Sequence, residues 1–262
     1  MRVVILENAE QVSRRAADII VQTVNDSPTA VLGLATGGTP LGTYKELVSR
    51  FSAGDVSFAE VTTFNLDEYV GLPQSHPQSY HSFMHSHLFQ LADFKPENGH
   101  LPNGEAADLT EECEQYELLI DDHVGIDLQL LGIGSDGHIG FNEPGSSLAS
   151  RTRVKALTEQ TRKDNARFFD SADEVPQVAI TMGVGTIMDA EHILILATGA
   201  SKASAVKAFI EGPVTAQVPA SILQMHPQVT VLLDEGAADW LVRKEYYRQV
   251  ESIQVKLESG SL

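Results

Sequence analysis

The 262 residues carry 18 Lys and Arg against 36 Asp and Glu, a formal net charge of −18 at pH 7, and 42% of them are hydrophobic. A chain this apolar can bury a sizeable core, which excludes intrinsic disorder, and its length suits one α/β domain over residues 1–262. A surface this acidic repels nucleic acid and anionic membranes, so neither is expected as a partner, and an anionic ligand must be captured by a local positive site.

The opening apolar run breaks at Glu7, too early for a signal peptide. No apolar run approaches the roughly 20 residues that span a bilayer. The single cysteine, Cys113, cannot form an internal disulfide, which suits a reducing compartment. A soluble cytoplasmic protein is the expectation.

In chain order, short runs rich in Val, Ile and Leu predict strands at 3–6, 30–35, 61–65, 128–133, 178–181, 193–198 and 229–233. Helical periodicity predicts helices at 9–24, 42–51, 79–91, 159–169, 202–210 and 235–247. A further amphipathic helix over 110–123 gives Cys113 a packing role. The alternation predicts an α/β fold: an open, mostly parallel twisted sheet with helices on both faces, Rossmann-like in a modified form. No repeat or Pro/Gly-rich linker divides the chain.

Four chemically distinctive segments fall just past the carboxyl ends of predicted strands. They are Thr36-Gly37-Gly38-Thr39-Pro40, Asp67, Ser135-Asp136-Gly137-His138 and Gly199-Ala200-Ser201-Lys202. That edge of an open α/β sheet is where ligands bind, so the four are expected to converge on one cleft.

Thr36, Gly37 and Gly38 ahead of Pro40 would present bare N–H groups at a helix N-terminus, a geometry that binds phosphate. A plain strand-to-helix connection is the competing reading. Gly42 is followed by Thr43-Tyr44 rather than Lys-Ser/Thr, so this is no Walker A loop. Gly132-Ile133-Gly134-Ser135-Asp136-Gly137 matches G-x-G-x-x-G in letters only. The dinucleotide motif opens into a helix, and Gly137, Gly140, Pro144 and Gly145 do not build one.

The same loop holds Asp136, His138 and Glu143 within eight residues. A histidine between carboxylates suits proton transfer, while Asp-x-His-x4-Glu could ligate a metal, and a purely structural loop is the third reading. Asp67, beside Tyr69 at a strand end, reads as a buried base or as a helix cap. His81, His85 and His87 lack the Glu of a zinc helix and read as a solvated face.

The blocks at 34–45, 63–72, 131–147, 151–155 and 179–190 resemble those of the glucosamine-6-phosphate deaminase family. The resemblance covers nearly the whole chain and implies a sugar-phosphate deaminase that needs neither a metal nor an organic cofactor. It implies Asp67 as the base at C2, His138 as the group that handles the ring oxygen, and Asp136 and Glu143 as carboxylates that orient it. Thr36, Gly37 and Gly38 would hold phosphate, with Arg167 and Lys202 as cationic partners. Ser146, Arg153 and Lys155 match positions that hold an activator, N-acetylglucosamine 6-phosphate, in hexameric members. Other members are non-allosteric monomers, and the residues do not choose between the two. A lactone hydrolase on the same fold and a non-catalytic sugar-phosphate sensor are the alternative readings.

Overall fold

The computed structural model describes residues 1–166, 169, 171 and 174–261, and at 160, 164 and 165 the backbone alone. The chain begins with strand β1 (Arg2–Leu6) and helix α1 (Ala9–Asp26). The side chain of Asn8 caps α1 by accepting the N–H of Gln11 at 3.0 Å. Its buried stripe, Val12, Ala16, Ile20 and Val24, repeats at helical spacing. Strand β2 (Val31–Leu34) and helix α2 (Leu41–Ala53) follow, and α2 stops at Gly54, whose φ of 82° is left-handed. Next come β3 (Thr62–Asn65), β4 (Asp67–Tyr69), α3 (Tyr80–His87), β5 (Gly99–His100) and α4 (Leu109–Asp122). The remainder runs β6 (Leu128–Gly132), β7 (Arg153–Ala156), α5 (Glu159–Asn165), β8 (Val178–Thr181), α6 (Val184–Met188), β9 (His192–Ala197), α7 (Ala203–Glu211), β10 (Val229–Asp234) and α8 (Lys244–Glu258).

Seven strands form one sheet in the order β1-β10-β9-β6-β2-β3-β5, with every neighbouring pair parallel. Alternate residues of each strand face opposite layers. Ile193, Ile195, Val231 and Leu233 pack with Tyr116 and Ile120 of α4, Ile187 of α6 and Phe209 of α7. Leu194, Leu196, Leu130 and Leu232 pack with Ile20 of α1, Leu47 of α2 and Met84 of α3. Burial on both faces is why these strands read as unbroken apolar runs. Cys113 of α4 is 5% exposed, and burial pushes its thiol up to about 11, in keeping with a packing role. Among the described residues, no helix is long and apolar enough to cross a membrane.

Three sequence expectations need correction. The strand at 178–181 does not join the main sheet: β8 pairs antiparallel with β4 and β7 in a separate three-stranded sheet. The seventh parallel strand is instead β5, a Gly-His pair too short to carry a hydrophobic period. The expected helix at 235–247 begins only at Lys244, because Asp234 ends β10 by accepting the Ala237 N–H at 2.7 Å and holds the next residues in turns. The helix expected over 79–91 ends at His87 and continues as a 3-10 turn at Phe89–Leu91. Of the one expected over 159–169, α5 covers the first seven residues, and residues 167 and 168 lie outside those described.

Candidate active site

From β2 the chain builds outward through β3 to β5; from β6, beside β2, it builds the other way to β9 and β10. Connections diverging from adjacent parallel strands leave a crevice at their carboxyl ends. A cavity of about 230 Å³ sits there, lined from the loops after β2, β3, β6 and β9 and by the first turn of α3.

One wall is the turn at 36–40. Gly37 has φ 99°, open to glycine and costly for other residues. Pro40 precedes α2, and among the described residues no side chain caps that helix, so its first N–H groups are open to an anion. Tyr80 lies against the turn, its hydroxyl beside the Thr36 side chain. Lys202 also lines the cavity. Its turn is fixed from below by Asp234, both of whose carboxylate oxygens accept the Gly199 N–H at 2.9 Å.

Asp67 forms another wall. The pairing of β4 with β8 sets its direction: Asp67 and Tyr69 line the cavity and Glu68, between them, does not. Asp67 is 7% exposed, and burial, reinforced by the neighbouring Glu68 charge, raises its carboxyl to about 8. Glu68 is buried as well but well supplied with donors. It accepts the N–H groups of Tyr69, Tyr80 and His81 at 2.8, 3.0 and 3.0 Å, and its Oε2 lies 2.9 Å from His81 Nδ1. A carboxylate only accepts, so that nitrogen carries the proton.

The loop after β6 brings in His138. Gly134 N–H donates to the His138 carbonyl at 2.9 Å and Gly137 N–H to the Gly134 carbonyl at 3.1 Å, folding the loop on itself. The imidazole lies so close over Gly134 that a Cβ there would stand 2.2 Å from its Cε1. Asp136 Oδ1 is 2.7 Å from His138 Nδ1 and accepts the His138 backbone N–H at 3.1 Å. The ring contact is short but bent, and among the described residues Nδ1 has no aligned hydrogen-bond acceptor. Its donor nevertheless holds the Asp136 carboxyl below the usual carboxylate range.

Thr36, Gly37, Gly38, Asp67, His138 and Lys202 therefore meet at one cavity, and Asp136 stands behind His138. Glu143 behaves otherwise. It is buried, and its Oε1 accepts from the Thr158 N–H at 3.1 Å, the Thr158 hydroxyl at 2.9 Å and the Thr161 hydroxyl, pinning the start of α5. No hydrogen bond or ion pair joins it to His138 among the described residues. Arg167 lies outside the described residues. Arg153 and Lys155 share one face of β7, away from the cavity lining, and among the described residues the buried Ser146 hydroxyl has no hydrogen-bond partner. Among the described residues, no cluster of three His, Cys, Asp or Glu side chains is arranged to hold a metal, and Asp136, His138 and Glu143 do not form one. Glu68, Tyr80 and Asp234 were missed from sequence. Asp234 carried a signal, since it ends a strand as Asp67 begins one.

A switch-point crevice whose wall carries an uncapped helix N-terminus, a lysine, a buried carboxyl and a histidine is the kind of place where α/β enzymes take small phosphorylated ligands. Comparison with known proteins narrows the class. Residues 7–232 match the family described as "Glucosamine-6-phosphate isomerases/6-phosphogluconolactonase". A glucosamine-6-phosphate deaminase of Hahella chejuensis is 52% identical over 262 residues, covering 100% of both chains. One from Rhodopirellula baltica is 55% identical over 240 residues, 92% of this chain and 96% of that one. A solved monomeric glucosamine-6-phosphate deaminase superposes with a TM-score of 0.90 at 50% identity, covering 92% of this chain and 100% of that chain. The 6-phosphogluconolactonase of Trypanosoma brucei gives 0.75 at 21% identity over 91% and 97%, a likeness of fold alone. This chain belongs to the glucosamine-6-phosphate isomerase/6-phosphogluconolactonase family.

Proposed function

We propose that this protein deaminates glucosamine 6-phosphate, converting it with water to fructose 6-phosphate and ammonia, with residues 1–262 acting as one domain. The observation that carries the reading is Asp67, a buried carboxyl raised to about 8 in the wall of a cavity onto which an uncapped helix N-terminus also opens. A base of that strength suits removal of a carbon-bound proton near neutral pH.

The sugar's phosphate would sit against the N–H groups of the turn at Thr36, Gly37 and Gly38, with Lys202 and Arg167 supplying charge. His138, poised by Asp136, moves a proton between the anomeric hydroxyl and the ring oxygen, opening the pyranose to a C1 aldehyde. The aldehyde acidifies the C2 hydrogen. Asp67 takes that proton, giving an enolamine, and returns it at C1, leaving an imine at C2. Water adds to the imine carbon and ammonia leaves. Glu143 supports the loop through α5 in this scheme. Every step is a proton transfer, an addition or an elimination, with no change in the overall oxidation level.

Ammonia release from glucosamine 6-phosphate tests the reading directly. Hydrolysis of 6-phosphogluconolactone without ammonia release would replace it with the lactone hydrolase.

A cytoplasmic site of action fits the single buried thiol and the phosphorylated substrate. Ser146, Arg153 and Lys155 are proposed to bind an activator phosphate, supported by two cations on one strand face and a buried, unpartnered hydroxyl. Sigmoidal kinetics made hyperbolic by N-acetylglucosamine 6-phosphate, from a particle sedimenting as a hexamer, are expected on that reading. A hyperbolic, activator-insensitive monomer would reject it.

A further inference from the structure

Glu68 is a buried carboxylate that the reaction scheme does not use. It is 1% exposed, adjoins Asp67 and faces away from the cavity. Its four donors come from two elements: one N–H from its own strand, and two N–H groups and a ring N–H from the start of α3. The N–H groups of Tyr80 and His81 are first-turn donors that a helix leaves without intrahelical partners. The third, from Ser82, goes to the Ser79 hydroxyl at 3.0 Å, whose own proton goes to the Gln74 carbonyl at 2.6 Å. The start of α3 is thus pinned at two points, and Glu68 supplies three hydrogen bonds that tie it to the strand carrying Asp67, beside the contact of Tyr80 with Tyr69.

That strut continues across the site. Ser79, Tyr80 and Phe83 line the cavity, Tyr80 lies with its ring 5.0 Å from that of Tyr69, and its hydroxyl stands beside the Thr36 side chain in the turn at 36–40. A continuous set of contacts therefore runs from Asp67 through Glu68 and α3 to the turn proposed to hold phosphate. The sugar's phosphate and its C2 hydrogen lie at opposite ends of one rigid molecule, so the distance between turn and base must be held constant.

We propose that Glu68 is a positioning residue for the deaminase reaction: by clamping α3 to the Asp67 strand, it sets the base against a substrate anchored at the Thr36 turn. The proposal rests on the function proposed above. The Glu68 charge acts on the base too. Asp67 adjoins Glu68, which points to the other face of the strand, shares its own face with Tyr69, feels Tyr80 from α3 and Tyr116 from α4, and shares the cavity lining with His138 and Lys202. Burial pushes both the Tyr80 and Tyr116 hydroxyls up, so neither carries charge near neutrality. Thr181, opposite Asp67 on β8, is neutral. Glu68 is the neighbouring anion, itself partnered by His81.

Two variants separate reach from charge. Glu68→Gln keeps length but loses charge and one acceptor oxygen; Glu68→Asp keeps charge but falls one methylene short of α3. Both should lower kcat by about 10- to 100-fold with KM for the sugar phosphate little changed, as expected when a base is displaced by an ångström or less. In Glu68→Gln the acid limb of kcat/KM should also move down by about one pH unit, while in Glu68→Asp it stays in place. Wild-type kcat in both variants, or a fall in melting temperature with unchanged kinetics and pH profile, would reduce Glu68 to a structural cap and overturn the proposal. A carboxyl carbon-13 titration of Asp67, assigned with Asp67→Asn, reads the same coupling without turnover, and an Asp67 midpoint equal in wild type and Glu68→Gln counts against it. If wild type releases no ammonia, the functional reading fails and this titration still decides whether Glu68 governs Asp67. If Glu68→Gln does not fold, the kcat and KM of Glu68→Asp carry the test.

Discussion

Replacing Asp67 with asparagine should make the protein more stable and nearly inactive. The folded carboxyl titrates at about 8 against a usual 3.8. Between those values the unfolded chain binds fewer protons than the folded one, so stability falls as pH rises across that window. At pH 7 the unfolded carboxyl is ionised and the folded one is mostly protonated. Integrating the difference gives about 4 kcal/mol of destabilisation at pH 7, and under about 1 kcal/mol at pH 4. Asparagine keeps the shape and never ionises, so it removes that term. For a chain of this size the gain corresponds to a melting temperature higher by roughly 8–16 °C at pH 7, shrinking to a degree or two at pH 4. Turnover should fall by about 10²-fold or more, because asparagine cannot accept the C2 proton. Calorimetry at the two pH values and an ammonia assay check both halves. Equal melting temperatures for the two proteins at pH 7 would refute the buried, raised carboxyl, and near-normal kcat would remove Asp67 from the chemistry.

His138→Gln should slow conversion of the closed pyranose far more than that of an open-chain analogue; equal losses would place His138 after ring opening. Gly134→Ala puts a methyl 2.2 Å from the imidazole, so it should lower kcat by displacing His138 while KM holds, and a fully active variant would show that the ring's position is not critical. Lys202→Ala removes a charge-assisted contact worth about 1.5–3 kcal/mol, so KM for the phosphorylated sugar should rise by about 10- to 100-fold with little effect on residual turnover of free glucosamine. An unchanged KM would move the phosphate elsewhere.

Much of this molecule was legible in the chain. Strands buried on both faces are bound to be continuous apolar runs, so six of the seven predicted strands fall in the parallel sheet with boundaries shifted by a residue or so. Because such a sheet binds ligands at its carboxyl edge, the sequence alone assigns the turn at Thr36, Asp67, His138 and Lys202 to one cleft, and all four line one cavity. Local sequence was silent where pairing partners decide the outcome. The period of 178–181 is the same in either sheet, and only the antiparallel neighbours β4 and β7 claim it for the smaller one. Glu143 sits in the same short loop as His138, yet its carboxylate meets Thr158 and Thr161, which lie well beyond that loop in the chain. Glu68 reads as one more acid in an acidic chain, because the donors that make it a clamp come from Tyr80 and His81, twelve and thirteen residues on. Composition and period report what a residue prefers; which buried charge meets which donor is settled only when distant segments pack.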